Sequence, residues 1–319
     1  MTTSGNSSLP YAPSTLLPSP TSTLVLLTLQ QLRYICAVAD TDSFAAAARV
    51  CGVTQPTLSA MVAKLERELG AQVFDRRRKP VATTALGAQV IARARRVLAE
   101  AASIPNLVDE AKQRVSGPLH VGLLPTIAPY LLPMFIRDFT AAHPDIDLTL
   151  SEHKTADIAD RLREGTLDLG LIATPHEGLH ELRTEPLFEE AFFAFAKTPP
   201  DKAYLLPADI DPDELWVLEE GHCFGDQVLN LCELSRHSHS LTYASGSIDT
   251  LKRLVLAQGG VTVLPELAVR TLPASETAHV RPFAAPAPLH TVSLAMREDY
   301  VRGRVAQVLA KAVREAVSD

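Results

Sequence analysis

Cysteine is scarce in this sequence: four cysteines, Cys36, Cys51, Cys223 and Cys232, are spread over 319 residues. That is too few for a fold held together by disulfides in a chain of this length. No apolar run approaches the length of a membrane span, so no membrane contact is expected. We therefore predict a cytoplasmic protein, in whose reducing surroundings a nearby pair of cysteines indicates redox or metal chemistry.

Charge is missing from residues 1–27, where 15 of the 27 residues are Ser, Thr or Pro. Such a segment cannot bury enough apolar surface to order itself, and it lacks the basic start and compact apolar run of a signal peptide. We expect a disordered extension, or residues that follow from a start codon placed too early.

Several enzyme motifs are also missing. The sequence contains no Walker A, HExxH, GxSxG or GxGxxG run, which removes support for the enzyme families that use them. We expect a protein that is not an enzyme and that needs no cofactor.

The overall net charge of −7 hides a basic segment. Residues 28–96 carry 11 Lys/Arg and 5 Asp/Glu, a net of +6, whereas residues 97–319 carry a net of −13. A small basic head on a large acidic body fits a module that binds nucleic-acid phosphate beside a body that does not. The alternative is chance clustering of charge.

Apolar spacing and turn residues predict a winged helix-turn-helix over residues 28–84. Thr54 can cap its third helix, and Pro56 is tolerated in the first turn, where backbone N–H groups have no intrahelical partner. A helical hairpin with a purely structural role is the alternative. Helices are expected at 29–39, 44–50 and 54–70, and short strands at 73–74 and 81–82.

A helix of this kind fits the major groove of B-DNA, and its N-terminal side chains reach base edges. A basic tip between the two strands would bind the phosphate backbone without reading sequence. The predicted partner is therefore an operator in double-stranded DNA. The predicted DNA-binding residues are Gln55, Pro56, Thr57, Ser59 and Lys64 on the helix, and Arg76, Arg77, Arg78 and Lys79 at the tip.

A long helix is predicted from Thr84 to about Arg114, with a kink or break at Pro105. Its length indicates a linker or dimerisation helix over 85–115. From residue 117 strands and helices alternate, which predicts a parallel sheet. The strands are expected at 119–124, 146–151 and 167–173, the helices at 127–142 and 155–164, a second set over 188–290, and a closing strand and helix over 291–318.

Three runs of the head carry a resemblance: SFAAAA at 43–48, VTQPTLS at 53–59 and LERELG at 65–70. They resemble the DNA-binding domain of LysR-type transcriptional regulators, and SGPLHVGLLPTIAPYLLP at 116–133 resembles the start of that family's effector domain. The resemblance implies a two-subdomain, periplasmic-binding-protein-like α/β effector domain over 116–319. It also implies a homodimer or homotetramer on two-fold related half-sites, with RNA polymerase as a partner. Subdomain I is expected at about 116–187 and 291–319, and subdomain II at about 188–290.

The segment Leu218–Cys232 (LEEGHCFGDQVLNLC) resembles the redox loop of the OxyR-type peroxide sensors in that family. This implies a regulator of oxidative-stress genes, an activator, in which hydrogen peroxide oxidises Cys223 and Cys232 resolves the product. A thiol reductant of glutaredoxin or thioredoxin type would reset it. The residues expected to hold peroxide are Thr126, Thr155, His222 and Asp226.

The chemistry of the cysteine pair is consistent with this role. The thiolate is the reactive form, and a helix predicted at 226–231 would favour it at Cys223. Oxidation gives a sulfenic acid, which a second cysteine can convert to a disulfide. In a helix, nine residues span about 13.5 Å, whereas a disulfide needs Cα atoms within about 7 Å. The segment would therefore have to refold, which could act as the switch.

Other interpretations stay open. The cysteine pair can be unreactive core residues, as we expect for Cys36 and Cys51, and the two threonines can be helix caps. The regulator can respond instead to a small metabolite in its effector cleft, or the chain can have thiol peroxidase-like activity. A metal site is a further alternative, but its spacing fits no standard zinc pattern, so none is predicted. That site would use His222, Cys223, Cys232, His237 and His239.

Overall fold

The computed structural model describes residues 27–199, 201–218 and 247–318. Most of the extension predicted at the start of the chain, and the whole segment 219–246 with Cys223 and Cys232, lie outside the described residues. The chain forms two compact units, which meet in sequence between Ile91 and Ala92. Each unit is described by itself.

The first unit contains the three predicted helices: α1 (Leu29–Thr41), α2 (Phe44–Cys51) and α3 (Gln55–Leu69). Each begins after a side chain that accepts a backbone N–H, namely Thr28, Ser43 and Thr54. This satisfies one of the donors left unpaired at a helix start. Two short antiparallel strands follow, β1 (Phe74–Asp75) and β2 (Ala82–Thr83), one residue later than predicted.

The apolar faces of the three helices form the core of this unit. Helical spacing predicts most of the core positions, but the predicted Leu29 is 50% exposed and Val38 is fully buried without having been predicted. Cys36 is buried, while Cys51 at the end of α2 is only half-buried. Burying such side chains supplies most of the stability of so small a unit. The core includes Leu32, Ile35, Val38, Leu58, Val62 and Leu65.

The long helix α4 runs from Ala85 to Ala111. The hydroxyl of Thr84 accepts the N–H of Gly87 at 2.9 Å, as a cap does. Of the kink or break predicted at Pro105, the break is wrong, because α4 continues through that residue. Proline removes one i→i−4 hydrogen bond and crowds the carbonyl four residues earlier, but the next turns can still form theirs. The last turn is intact, since Lys112 N–H still donates to the Val108 carbonyl at 3.0 Å.

The second unit begins with the predicted parallel strands. β3 (Gly117–Leu123) pairs in parallel with both β4 (Ile146–Glu152) and β5 (Leu169–Thr174). The helices α5 (Ala128–Ala142) and α6 (Thr155–Glu164) connect them. This is the expected βαβαβ order.

A strand of 15 residues, β6 (Leu182–Ala196), crosses the whole unit. Its first part pairs with β9 (Leu289–Arg297), and its last part pairs with β7 (Val261–Pro265) and β8 (Val280–Pro282). The order in the sheet is β4-β3-β5-β9-β6-β7, with β8 also beside β6. The remaining helices in the described chain are α7 (Ile248–Gln258), α8 (Glu266–Arg270) and α9 (Gly303–Ser318).

A buried polar pair joins β6 to β9. Glu190 and His290 are each buried, and Glu190 Oε1 lies 2.6 Å from His290 Nε2. The other carboxylate oxygen accepts the N–H of Leu267, at the start of α8, at 3.0 Å. The pair therefore ties two strands and a helix together where β6 passes from one part of the sheet to the other.

Candidate functional site

The N-terminal turns of α3 present polar side chains to solvent. Gln55, Pro56 and Thr57 are exposed and Ser59 is half-buried. The hydroxyls of Thr54 and Thr57 lie 2.8 Å apart, so they are hydrogen-bonded to each other. Lys64 is exposed further along the helix and lies 3.8 Å from Glu68. The structure places these residues at a helix end able to enter a groove, and their contacts with DNA stay a prediction.

Arg76 differs from the rest of the predicted basic tip, because its side chain has partners within the head. Its guanidinium donates to Ser59 Oγ at 3.1 Å and to Glu66 Oε2 at 3.0 Å. Its central carbon also lies 4.6 Å from the centre of the Phe44 ring. Sequence reasoning missed this, because Arg76 is far from Ser59 in the chain.

The other residues of the tip are open to solvent. Arg77, Arg78 and Lys79 are exposed, and Arg78 lies 3.7 Å from Asp75. A pair this exposed contributes little stability. These side chains can therefore meet a phosphate backbone without first losing a strong internal contact.

In the second unit, the two predicted threonines lie at equivalent places. β3 and β4 pair up to their last residues, Leu123 and Glu152. Thr126 and Thr155 each follow three residues later, so they lie at the same carboxyl edge of the sheet, where ligands of α/β folds bind.

Both threonines are buried, and Thr155 is 0 % exposed. Its hydroxyl has no hydrogen-bond partner among the described residues. Thr155 is the first residue of α6, and the N-cap position belongs to Lys154, whose side chain makes no capping hydrogen bond. Helix capping therefore does not account for Thr155. A buried hydroxyl without a partner costs free energy and is rare unless the site uses it.

A cavity of about 490 Å³ is lined by their sequence neighbours Pro125 and Lys154, but by neither threonine itself. Its wall comes from the loop after β3, the start of α6 and the start of α7, so residues distant in sequence meet there. Seven of the ten lining residues are polar or charged. It consists of Pro125, Pro129, Tyr130, Glu152, His153, Lys154, Asp157, Ser247, Ile248 and Asp249.

Two residues of this wall were not predicted from the sequence. Tyr130 on α5 and Asp249 at the start of α7 lie close enough for the carboxylate to act on the phenol. Burial and the nearby carboxylate raise the pKa of Tyr130, so the phenol stays protonated and can donate. Asp249 also lies 3.4 Å from Lys252. The contact between Tyr130 and Asp249 joins the two sides of the cavity.

His153, in the same wall, has a lowered pKa. Burial is the largest cause, the positive charge of Arg161 adds to it, and Asp157 acts in the opposite direction. The imidazole Nε2 lies 2.9 Å from the hydroxyl of Ser151. His153 is therefore neutral near pH 7 and can accept or donate one hydrogen bond at the cavity.

The remaining predicted site residues, His222, Cys223, Asp226 and Cys232, lie outside the described residues. In the described part of the chain, no group of three or more His, Cys, Asp or Glu side chains could hold a metal ion. Across those same residues, no helix combines the length and the apolar character that crossing a membrane requires.

Two family models match the chain. Residues 29–88 match the model described as bacterial regulatory helix-turn-helix protein, lysR family. Residues 112–318 match the LysR substrate binding domain. Together they cover both units and confirm the fold that was predicted from the sequence.

Individual proteins give the same result. The chain is 33% identical over 293 residues to a hydrogen peroxide-inducible genes activator from Dickeya chrysanthemi, covering 91% of this chain and 95% of that one. A full-length OxyR variant from Pseudomonas aeruginosa is 37% identical with a TM-score of 0.75, covering 90% and 97%. A hydrogen peroxide-bound OxyR mutant from Corynebacterium glutamicum is 28% identical with a TM-score of 0.60, covering 91% and 92%.

Proposed function

Since this chain belongs to the LysR family of bacterial transcriptional regulators, we propose that it is a DNA-binding peroxide sensor. The head binds an operator through α3 and the basic tip of the wing. The effector domain responds to hydrogen peroxide through Cys223. The names of the related proteins, which are peroxide-inducible activators and OxyR, support this assignment of class.

The observation that carries the proposal is the buried hydroxyl of Thr155 without a partner among the described residues. Hydrogen peroxide is small and has two oxygens that each donate and accept hydrogen bonds. Thr126 and Thr155, at the same sheet edge, offer two hydroxyls for those oxygens. An apolar side chain of the same size would pack equally well at position 155. A hydroxyl at this position is therefore best explained as a group that binds a polar ligand.

The reaction at Cys223 needs no cofactor. Its thiolate attacks one peroxide oxygen, an S–O bond forms, the O–O bond breaks, and hydroxide leaves and becomes water after taking up a proton. The sulfur loses two electrons and becomes a sulfenic acid. We assign Thr126 and Thr155 to holding the peroxide. His222 stabilises the thiolate, and Asp226 supplies the proton to the leaving oxygen.

The second step joins the two cysteines. The thiolate of Cys232 attacks the Cys223 sulfur, an S–S bond forms, the S–O bond breaks, and the departing hydroxide becomes water. A thiol reductant of glutaredoxin or thioredoxin type restores both thiols. Formation of the S–S bond requires the segment between the two cysteines to refold, which alters the contacts between copies in a homodimer or homotetramer. The altered contacts change how the regulator acts on transcription by RNA polymerase.

DNA footprinting tests this proposal. The full-length reduced chain is bound to its operator with and without dilute hydrogen peroxide, and Cys223→Ser is compared with the matched variant Cys51→Ser in the head. We expect the footprint of the parent chain and of Cys51→Ser to change with peroxide, and that of Cys223→Ser to stay constant. A peroxide response that survives in Cys223→Ser would overturn the proposal.

Mass spectrometry of the same samples separates the two steps. We expect a 223–232 bridge in the oxidised parent chain, and a gain of one oxygen at Cys223 when Cys232 is replaced by Ser. A full transcriptional response in Cys232→Ser would mean that Cys223 acts alone. Sustained consumption of peroxide with a thiol reductant would instead support a thiol peroxidase.

A second candidate is a regulator that responds to a small metabolite. The cavity lined by Pro125 and Lys154 has a volume of about 490 Å³, within the range of small-molecule sites and far larger than peroxide needs. Its charged lining suits a small polar metabolite. A peroxide-independent change in footprint on adding such a compound, retained in Cys223→Ser, would favour this function.

A further inference from the structure

We propose that Arg76 is a positioning residue for DNA sequence recognition: it directs the hydroxyl of Ser59, so that Ser59 donates a hydrogen bond to an acceptor on a base. Such a donor discriminates against cytosine, whose major-groove edge offers only a donor. The inference rests on the DNA-binding face of the proposed function. It assigns Arg76 a different role from Arg77 and Arg78 beside it.

The guanidinium of Arg76 is held from three sides. It donates to Ser59 Oγ at 3.1 Å and to Glu66 Oε2 at 3.0 Å, and it covers the ring of Phe44 at 4.6 Å. A guanidinium is planar and its donors form a rigid fork, so contacts in different directions define its orientation. The stacking contact adds a cation–π attraction.

Glu66, the main partner of Arg76, is itself anchored. Its second oxygen, Oε1, accepts the N–H groups of Val73 at 2.9 Å and Phe74 at 3.2 Å. The ring of Phe74 in turn packs edge-on against that of Phe44, with centres 5.8 Å apart. The arginine therefore bridges α3, the start of α2 and the wing, all of which are fixed by other contacts.

This geometry decides the role of the Ser59 proton. A guanidinium has only donors, so Ser59 Oγ must accept from Arg76. The serine O–H is then left to donate, and nothing in the described part of the chain accepts it. Ser59 lies four residues after Gln55 on α3, hence on the same face of the helix as that predicted base-reading residue.

Arg76 is also poorly suited to binding phosphate. Its positive charge is already matched by Glu66 at 3.0 Å. Arg77 is exposed, and its side chain makes no hydrogen bond or ion pair with the residues that the structure describes. The exposed arginine has the properties of a phosphate contact, whereas Arg76 has those of a support for its neighbour.

The test measures affinity and its dependence on salt. A preferred duplex is selected from a random pool by the full-length chain, and single-base changes are made in it. Dissociation constants at several salt concentrations are then compared for Arg76→Lys, Ser59→Ala and the double variant. Arg77→Lys is the matched control, and Arg77→Gln calibrates the loss of a phosphate contact.

We expect Arg76→Lys to lose about fivefold discrimination, the worth of one hydrogen bond. The loss should fall at the same base pair as in Ser59→Ala, and the double variant should be no worse than either. The salt slope should stay that of the parent, whereas Arg77→Gln should lower it by about 1. Arg77→Lys keeps the charge of a phosphate contact, so any loss of affinity should be equal at all base pairs.

Two results would overturn the inference. One is full discrimination in Arg76→Lys, because a lysine keeps the charge but lacks the rigid planar fork that contacts Ser59 and Glu66 in fixed directions. The other is a loss spread over all base pairs, which indicates a loosened head. If Ser59→Ala, Gln55→Ala and Arg77→Gln all bind like the parent, the DNA-binding face of the proposed function fails instead.

Discussion

Replacing Thr155 by Val should make the effector domain more stable and less sensitive to peroxide. The Thr155 hydroxyl is fully buried and has no partner among the described residues. A buried hydroxyl in that state costs about 1–3 kcal/mol in proteins. Valine has nearly the same shape and no polar atom. We therefore expect the free energy of unfolding to rise by about 1 kcal/mol, or about 2–4 °C in Tm.

The same change should slow the reaction with peroxide. If Thr155 donates to an oxygen on which charge develops, a charge-assisted hydrogen bond of about 1.5–3 kcal/mol is lost from the transition state. That corresponds to a rate about 10- to 100-fold lower. Function and stability are thus predicted to move in opposite directions at this one position.

Thermal unfolding and stopped-flow oxidation measure the two effects. The chain has one tryptophan, Trp216, seven residues before Cys223, so its fluorescence can follow the reaction. Thr262→Val is the matched control for stability, because Thr262 is also buried but donates to the Trp216 carbonyl at 2.9 Å. Circular dichroism should show that this control is destabilised. A destabilised Thr155→Val with the parental oxidation rate would refute the reasoning.

Two further predictions concern stability. Because burial and Arg161 lower the pKa of His153, the unfolded chain binds its proton more readily, so stability should fall as the pH drops below about 6.5. His153→Gln should flatten the Tm-against-pH curve there, and an unchanged curve would contradict this. Glu190→Leu should lose about 1–3 kcal/mol, since it removes the acceptor of the buried Leu267 N–H. Urea unfolding measures this loss, and Glu189→Leu, at an exposed neighbouring position, is the control and should change stability by less than about 0.5 kcal/mol. Similar losses in the two variants would count against a special role for the Glu190–His290 pair.

Short-range signals were the most informative part of the sequence. The helix starts at Ser43, Thr54 and Thr84 were predicted because a cap and its N–H donor lie within three residues of each other. The parallel order of the first strands followed from their alternation with helices. The position of Thr126 and Thr155 at one sheet edge followed from that order.

Contacts between distant residues could not be predicted in the same way. The interaction between Tyr130 and Asp249 joins residues 119 positions apart, and no local pattern in one sequence encodes such a pairing. Arg76 was grouped with the other basic residues of the tip because its contacts with Ser59 and Glu66, 17 and 10 residues away in the chain, have no local signal. Pro105 shows the opposite error, since a local rule was applied where the surrounding helix continues.

The strand β6 has a practical consequence for building hybrid regulators. The chain enters the β7–β8 part of the sheet along β6 and returns along β9, and those two strands are hydrogen-bonded neighbours, with Phe188 opposite Val292. The β7–β8 part of the sheet is therefore an insertion whose two ends lie side by side. It could be exchanged between relatives with only two junctions, and the register shift between Pro186 and Phe188 marks a place for one of them.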